Sequence, residues 1–148
     1  MNISIINEQE SLPISEDRVQ AIVRSCVLYE GQNCDEVSIF FVTKEVIAEL
    51  HEEFFDDPTP TDCISFPIDT EETAGFRLLG EIFVCPEVAI EYSKTHGLKS
   101  EREETLLYVV HGLLHLMGYD DIEDDAIVEM RKAEKRHLDH LKKQGLEF

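Results

Sequence analysis

Positive charge is what this chain has least of. Thirteen Lys and Arg residues stand against thirty-two Asp and Glu in 148 residues, a formal net charge of −19. Phosphate neutralisation supplies most of the affinity in simple nucleic-acid binding, so composition alone argues against that class. A body this acidic also repels bare RNA at long range. Cysteine is sparse and scattered: Cys26, Cys34, Cys63 and Cys85 include no Cys-x-x-Cys pair. That pattern argues against a thiolate zinc site and a disulfide framework, and fits reduced thiols acting as small core hydrophobes. No apolar run approaches the length of a bilayer span; the uncharged stretch from Leu106 to Gly118 stops at thirteen residues. The opening residues show no basic leader followed by an apolar stretch, so a secretory signal is not expected. Repeats and low-complexity linkers are missing too. The length suits one domain, 1–148, with a core that needs no staples.

The few cations are not evenly spread. Arg131, Lys132, Lys135, Arg136, Lys142 and Lys143 make up six of the thirteen, and Lys94, Lys99 and Arg102 form a second small group. Both groups read first as solvated helix faces. The alternative is a local basic rim on a mostly acidic body.

Hydrophobic spacing predicts a strand from Asn2 to Ile6. Ser15 then caps a helix whose Val19, Ile22, Val23, Cys26 and Val27 recur at helical spacing, ending near Gly31. Val37 to Val42, rich in β-branched and aromatic residues, reads as a buried strand. Thr43 caps a second helix with Val46, Ile47 and Leu50 on one face. Pro58 and Pro60 make a loop of Asp56 to Thr61. Cys63 to Phe66 and Leu79 to Val84 read as strands joined by a polar segment through Glu71 and Glu72. Pro86 opens a helix that stops at His96-Gly97. Ser100 with Glu103 is a capping box for the next helix. Ile122 to Lys143 reads as a final amphipathic helix. The expectation is an α+β fold with a mixed β-sheet of about four strands, packed by helices.

The stretch His111-Gly112-Leu113-Leu114-His115-Leu116-Met117-Gly118-Tyr119-Asp120-Asp121 carries the chemistry. Two imidazoles at i and i+4 point the same way from a helix. Gly118 ends that helix, and the chain turns into two carboxylates. Two nitrogens and one returning oxygen form a three-ligand set that leaves a metal one open position. A bare His-x-x-x-His pair more often marks two satisfied core histidines. Here the uncharged flanks bury the helix, and its histidines then need partners.

These residues resemble the YbeY family of bacterial metal-dependent endoribonucleases, or rRNA maturation factors. The family hallmark His-Gly-x-x-His-Leu-x-Gly-Tyr-Asp-His is matched at ten of its eleven positions. Thr61-Asp62-Cys63-Ile64-Ser65-Phe66-Pro67, Leu79-Gly80-Glu81-Ile82 and Ile122-Glu123-Asp124-Asp125 agree as well, in family order across most of the chain. The resemblance implies a mixed sheet with a metal site in a cleft beside the central helix. It implies a single-strand-preferring endoribonuclease acting in maturation of ribosomal RNA, at the 3′ end of 16S rRNA, and in ribosome quality control. Its partners would be ribosomal RNA and the small ribosomal subunit or its proteins, in the cytoplasm, with no membrane and no DNA. The metal ligands would be His111, His115 and Asp121, with zinc the leading ion and other transition metals as competitors. No other cofactor is expected.

Two departures stand out. The family's third metal-binding histidine falls on Asp121, and Phe54-Phe55-Asp56-Asp57 lacks the arginine usual upstream of Ser-Phe-Pro. Arg77 would substitute only if the loop before Leu78 folded over the cleft. Asp120 rivals Asp121 as third ligand, its ordinary role being a helix-exit cap. Asp62, Ser65 and Glu81 are weak catalytic candidates. Their ordinary readings are a loop cap, a hydroxyl bonded to backbone and a surface strand carboxylate. His51 and His96 read as helix-surface and helix-end residues, and a second metal site at His137 and His140 is not expected. Tyr119 packs across the helix exit, stacking on a base being its other conceivable role. Two further functional readings remain open: a non-catalytic ribosome assembly factor with a structural metal, and a metal-dependent amidohydrolase or peptidase. Gly112, where such peptidases carry a glutamate base, weighs against the last.

Overall fold

A computed structural model describes residues 1–69 and 75–148. In chain order the elements are β1 (Asn2–Asn7), α1 (Glu16–Tyr29), β2 (Glu36–Phe41), α2 (Lys44–Phe55), β3 (Cys63–Pro67), β4 (Leu78–Val84), α3 (Pro86–His96), α4 (Glu101–Leu116) and α5 (Asp124–Lys143). The strands form one four-stranded sheet in the order β1-β2-β4-β3. β1 pairs with β2 and β2 with β4 in parallel, while β3 runs antiparallel to β4. This is the mixed sheet of an α+β fold that the hydrophobic spacing implies.

Local chemistry sets the helix ends. The Ser15 and Thr43 hydroxyls accept the backbone N–H of Arg18 and Val46. At Ser100 the capping box is complete: its hydroxyl accepts the Glu103 N–H, and the Glu103 carboxylate accepts the Ser100 N–H. α5 begins at Asp124, two residues later than the spacing suggests, and Ile122 is left 77% exposed. Asp124 and Asp125 fill the first turn, where the helix dipole favours anions. On α2 Ile47 is buried and Leu50 packs partly buried against the same cluster, whereas Val46 is exposed, so two of the three expected face residues make the contact. The polar segment through Glu71 and Glu72 lies outside the described residues.

The register pairs Ile39 with Ile82 and Phe41 with Val84, and alternation puts all four on one face of the sheet. That face carries the main core, shared with α1, α4 and α5. A smaller cluster of Val42, Ile47, Ile64 and Cys85 fills the opposite face beneath α2. α4 lies in the middle of the fold, with Val109, Leu113 and Leu114 fully buried. It sits so close to β4 that a Cβ at Gly112 would come 2.6 Å from Ile82 Cγ2. Gly80, at φ 150°, leaves similar room for the Phe66 carbonyl and for Leu116. Among the described residues, no helix is long and apolar enough to cross a membrane.

Candidate metal centre

α4 presents His111 and His115 one turn apart near its C-terminal end. Gly118, at φ 106°, lets the chain reverse, and the Tyr119 N–H closes on the Leu114 carbonyl at 2.9 Å. The reversal brings Asp121 back over the two rings. Asp121 Oδ2 lies 3.4 Å from Nε2 of His111 and 3.4 Å from Nε2 of His115. The two Nε2 atoms are 3.0 Å apart.

The far side of each ring fixes its tautomer. Nδ1 of His111 faces Glu134 Oε2 at 2.8 Å, and Nδ1 of His115 faces the Tyr119 carbonyl at 3.1 Å. A carboxylate and a carbonyl can only accept, so in the neutral rings Nδ1 carries the proton and Nε2 the lone pair. Two lone pairs and one anionic oxygen therefore converge on a single point. They repel one another unless a cation lies between them. Bonds of about 2.0–2.2 Å to a tetrahedral zinc would space such donors roughly 3.3–3.5 Å apart, close to what is seen. The residues fit a divalent ion, and among the described residues no other cluster of His, Cys, Asp or Glu does so.

Glu134 is the functional residue that sequence reasoning missed. It is buried on α5 and receives Arg131 Nη1 at 2.6 and 2.8 Å as well as the His111 ring. Burial alone would raise its carboxyl pKa; the His111 N–H and the Arg131 guanidinium instead hold it below the ordinary value. A metal-ligating imidazole held by a carboxylate is oriented and made more basic. A signal was available in the sequence. Glu134 falls on the apolar stripe of α5, among Met130, Ala133 and Leu141, where a carboxylate needs a partner.

Of the other candidates, Asp62 and Ser65 line the clefts around the centre. Asp62 accepts the Cys63 N–H at 2.7 Å, and the Ser65 hydroxyl donates to the Gly112 carbonyl at 3.3 Å. Glu81 pairs with Phe66 on the face of β4 opposite to Ile82, and it lines neither cleft. Asp120 turns its carboxylate onto the Asp121 N–H at 2.7 Å in the turn after α4, while lining the same cleft as the two histidines. Arg77 does not fold over the cleft. It is buried, binding Gln32 and the Asn33 carbonyl beside the α1–β2 loop. Arg131 instead lines the cleft together with His111 and Asp121. Phe55 lines the cleft near His51, whose Nδ1 donates to the Thr59 carbonyl.

His137 is buried, with Nε2 2.7 Å from Glu30 Oε1. Glu30 also receives Arg136 and the Tyr119 hydroxyl, so Tyr119 ties the metal-site turn to α1 and α5. The cysteines are all free. Burial pushes the Cys26 thiol up to about 12 and the Cys63 thiol well above its ordinary value, so neither supplies a thiolate.

Comparison with known proteins agrees with this picture. A family model described as endoribonuclease YbeY matches residues 4–142. Endoribonuclease YbeY of Protochlamydia amoebophila (strain UWE25) is 53% identical over 144 residues, covering 97% of this chain and 95% of the relative. Its counterpart in Chlamydia caviae is 36% identical over 141 residues, covering 93% and 89%. The solution structure of TM1509 from Thermotoga maritima superposes with a TM-score of 0.66 at 28% identity, covering 96% of this chain and 90% of that one.

Proposed function

The chain belongs to the YbeY endoribonuclease family, and from that premise we propose that it is a metal-dependent endoribonuclease of single-stranded RNA. It acts in ribosomal RNA maturation at the 3′ end of 16S rRNA and in ribosome quality control, on the small subunit in the cytoplasm, as one domain spanning residues 1–148. The observation that carries this reading is the convergence of two Nε2 lone pairs and one carboxylate oxygen at 3.0–3.4 Å, with both tautomers set from behind.

His111, His115 and Asp121 hold the ion, with zinc as the first choice. Bound there, it would polarise a phosphoryl oxygen and lower the pKa of water towards about 7. Glu134 fixes the His111 ring, and Tyr119 does so for His115 through its carbonyl. Asp62 and Ser65 form the cleft wall, where a phosphodiester would lie. A peptidase reading is disfavoured at Gly112: the residue after the first histidine carries no glutamate base, and a side chain added there would press on Ile82.

The test is metal analysis of protein purified without chelator, together with cleavage of single-stranded RNA. One equivalent of metal and RNA cleavage, both lost in His115→Ala, are expected. Metal-replete protein holding no ion, or cleavage that survives His111→Ala, would overturn the assignment.

A further inference from the structure

We infer that the groove between α5 and the start of α4 carries single-stranded RNA away from the metal centre, an inference that rests on the ribonuclease reading above. Two clefts of about 1030 and 420 Å³ meet here, sharing Lys99, Leu138 and Asp139 in their walls. The larger one reaches His111 and Asp121, so the groove is continuous with the metal centre.

Its lining is unlike the rest of the molecule. Five of the thirteen cations line it, namely Lys99, Arg102, Arg131, Lys135 and Lys142, against seven of the thirty-two carboxylates. A divalent ion among the ligands brings this lining to charge balance, while the rest of the surface stays strongly acidic. Arg131, Lys135 and Lys142 recur at helical spacing along α5, covering about 16 Å at roughly 1.5 Å per residue.

Several of these cations are uncommitted. Among the described residues, the side chains of Lys99, Arg102 and Lys142 make no hydrogen bond and no ion pair within 4 Å, Lys142 acting on Asp139 only at longer range, even though carboxylates outnumber cations more than twofold. Arg131 spends Nη1 on Glu134, while its side chain stays 62% exposed to the groove. The acids are largely engaged: Glu134 by His111 and Arg131, Asp139 by Lys135, and Glu103 in the Ser100 capping box. Between the charges lie Leu98, Leu138 and Phe148, with the Tyr92 ring stacked on His96 at 3.8 Å. Spaced cations along an apolar, partly aromatic floor match a strand whose backbone is anionic and whose bases stack.

The experiment measures affinity of the zinc-loaded protein for 2′-O-methyl oligoribonucleotides of about 4 and about 12 nucleotides, within the range of single-strand site sizes. The wild type is expected to bind the longer probe at least roughly tenfold more tightly. Arg102→Glu with Lys142→Glu should erase that gain, and the salt dependence of log K for the longer probe should fall by about 1.4, or about 0.7 per phosphate contact. Arg24→Glu with Lys132→Glu, which changes net charge equally away from the groove, should keep both. Arg102→Ala with Lys142→Ala serves as the milder pair should the reversals perturb folding. A length gain surviving both groove pairs overturns the track alone. Competition by polyglutamate without any RNA length gain overturns it in favour of an acidic protein partner. Wild-type protein that neither binds nor cleaves RNA overturns the track and the ribonuclease reading together.

Discussion

Glu134 Oε2 accepts the His111 Nδ1–H at 2.8 Å across two helices, and the same carboxylate holds Arg131. One buried acid therefore sets the tautomer of a candidate metal ligand and places a cation at the cleft.

Removing that acid should weaken the site without unmaking it. Glu134→Ala is expected to lower metal affinity about 10–100-fold, the usual range for losing a partner behind a ligand. Glu134→Gln keeps an acceptor for the ring and should lose less. Competition titration against a chelator measures both. Equal affinities in the alanine variant and the wild type would mean the pair is incidental.

Gly112→Ala places a methyl 2.6 Å from Ile82 Cγ2, so that the Ile82 side chain or the helix must shift. Overpacking of this kind costs about 1–3 kcal/mol, or about 2–4 °C of Tm per kcal/mol at this size. Adding Ile82→Ala should restore part of the loss attributable to overpacking. Calorimetric melting of the two single variants and the double variant resolves this, and additive losses would contradict it.

The way these pairs form explains what the sequence could and could not reveal. Ser100 with Glu103, Pro86 and Gly118 act on their immediate neighbours, so the element boundaries they set were legible. So were His111 and His115, one turn apart on a single helix. The partner of Glu134 was not, because it is on another helix and only the packing of α4 on α5 brings the two together. The same holds for His137, which looks solvated amid its charged neighbours yet turns inward onto Glu30. Arg77 failed for the converse reason: the loop around Gln32 and Asn33, distant in sequence, had first claim on it.

Glu30 supplies the acid limb of stability. Burial would raise its carboxyl, but hydrogen bonds from His137 and Arg136 hold its pKa below 4.5. With the folded value depressed, its contribution is complete above the unfolded pKa and is lost as pH falls through the lower folded value. His137 works one step earlier. Burial depresses it from 6.5, so the unfolded chain takes up a proton first as pH drops below that value, costing stability. Urea unfolding at pH 7, 5 and 3.5 should show stability falling in the wild type and a shallower fall below 5 in Glu30→Gln. Parallel curves would remove Glu30 from the account.

Asp121 should set the pH at which the enzyme works. A carboxylate among the ligands leaves a divalent centre at formal charge +1, whereas a third neutral imidazole would leave +2. The more positive centre acidifies water more strongly, and an imidazole suits harder ions less well than a carboxylate oxygen does. Asp121→His is therefore expected to move the rising limb of the pH–rate profile for RNA cleavage to lower pH. It should also shift metal preference from manganese towards zinc in a competition measured by elemental analysis. Asp120→His is the matched control, because Asp120 is committed to the Asp121 N–H and not to the rings. A profile that stays put or moves to higher pH in Asp121→His would show that the carboxylate at 3.4 Å from both histidines is a bystander to the ion and not its third ligand.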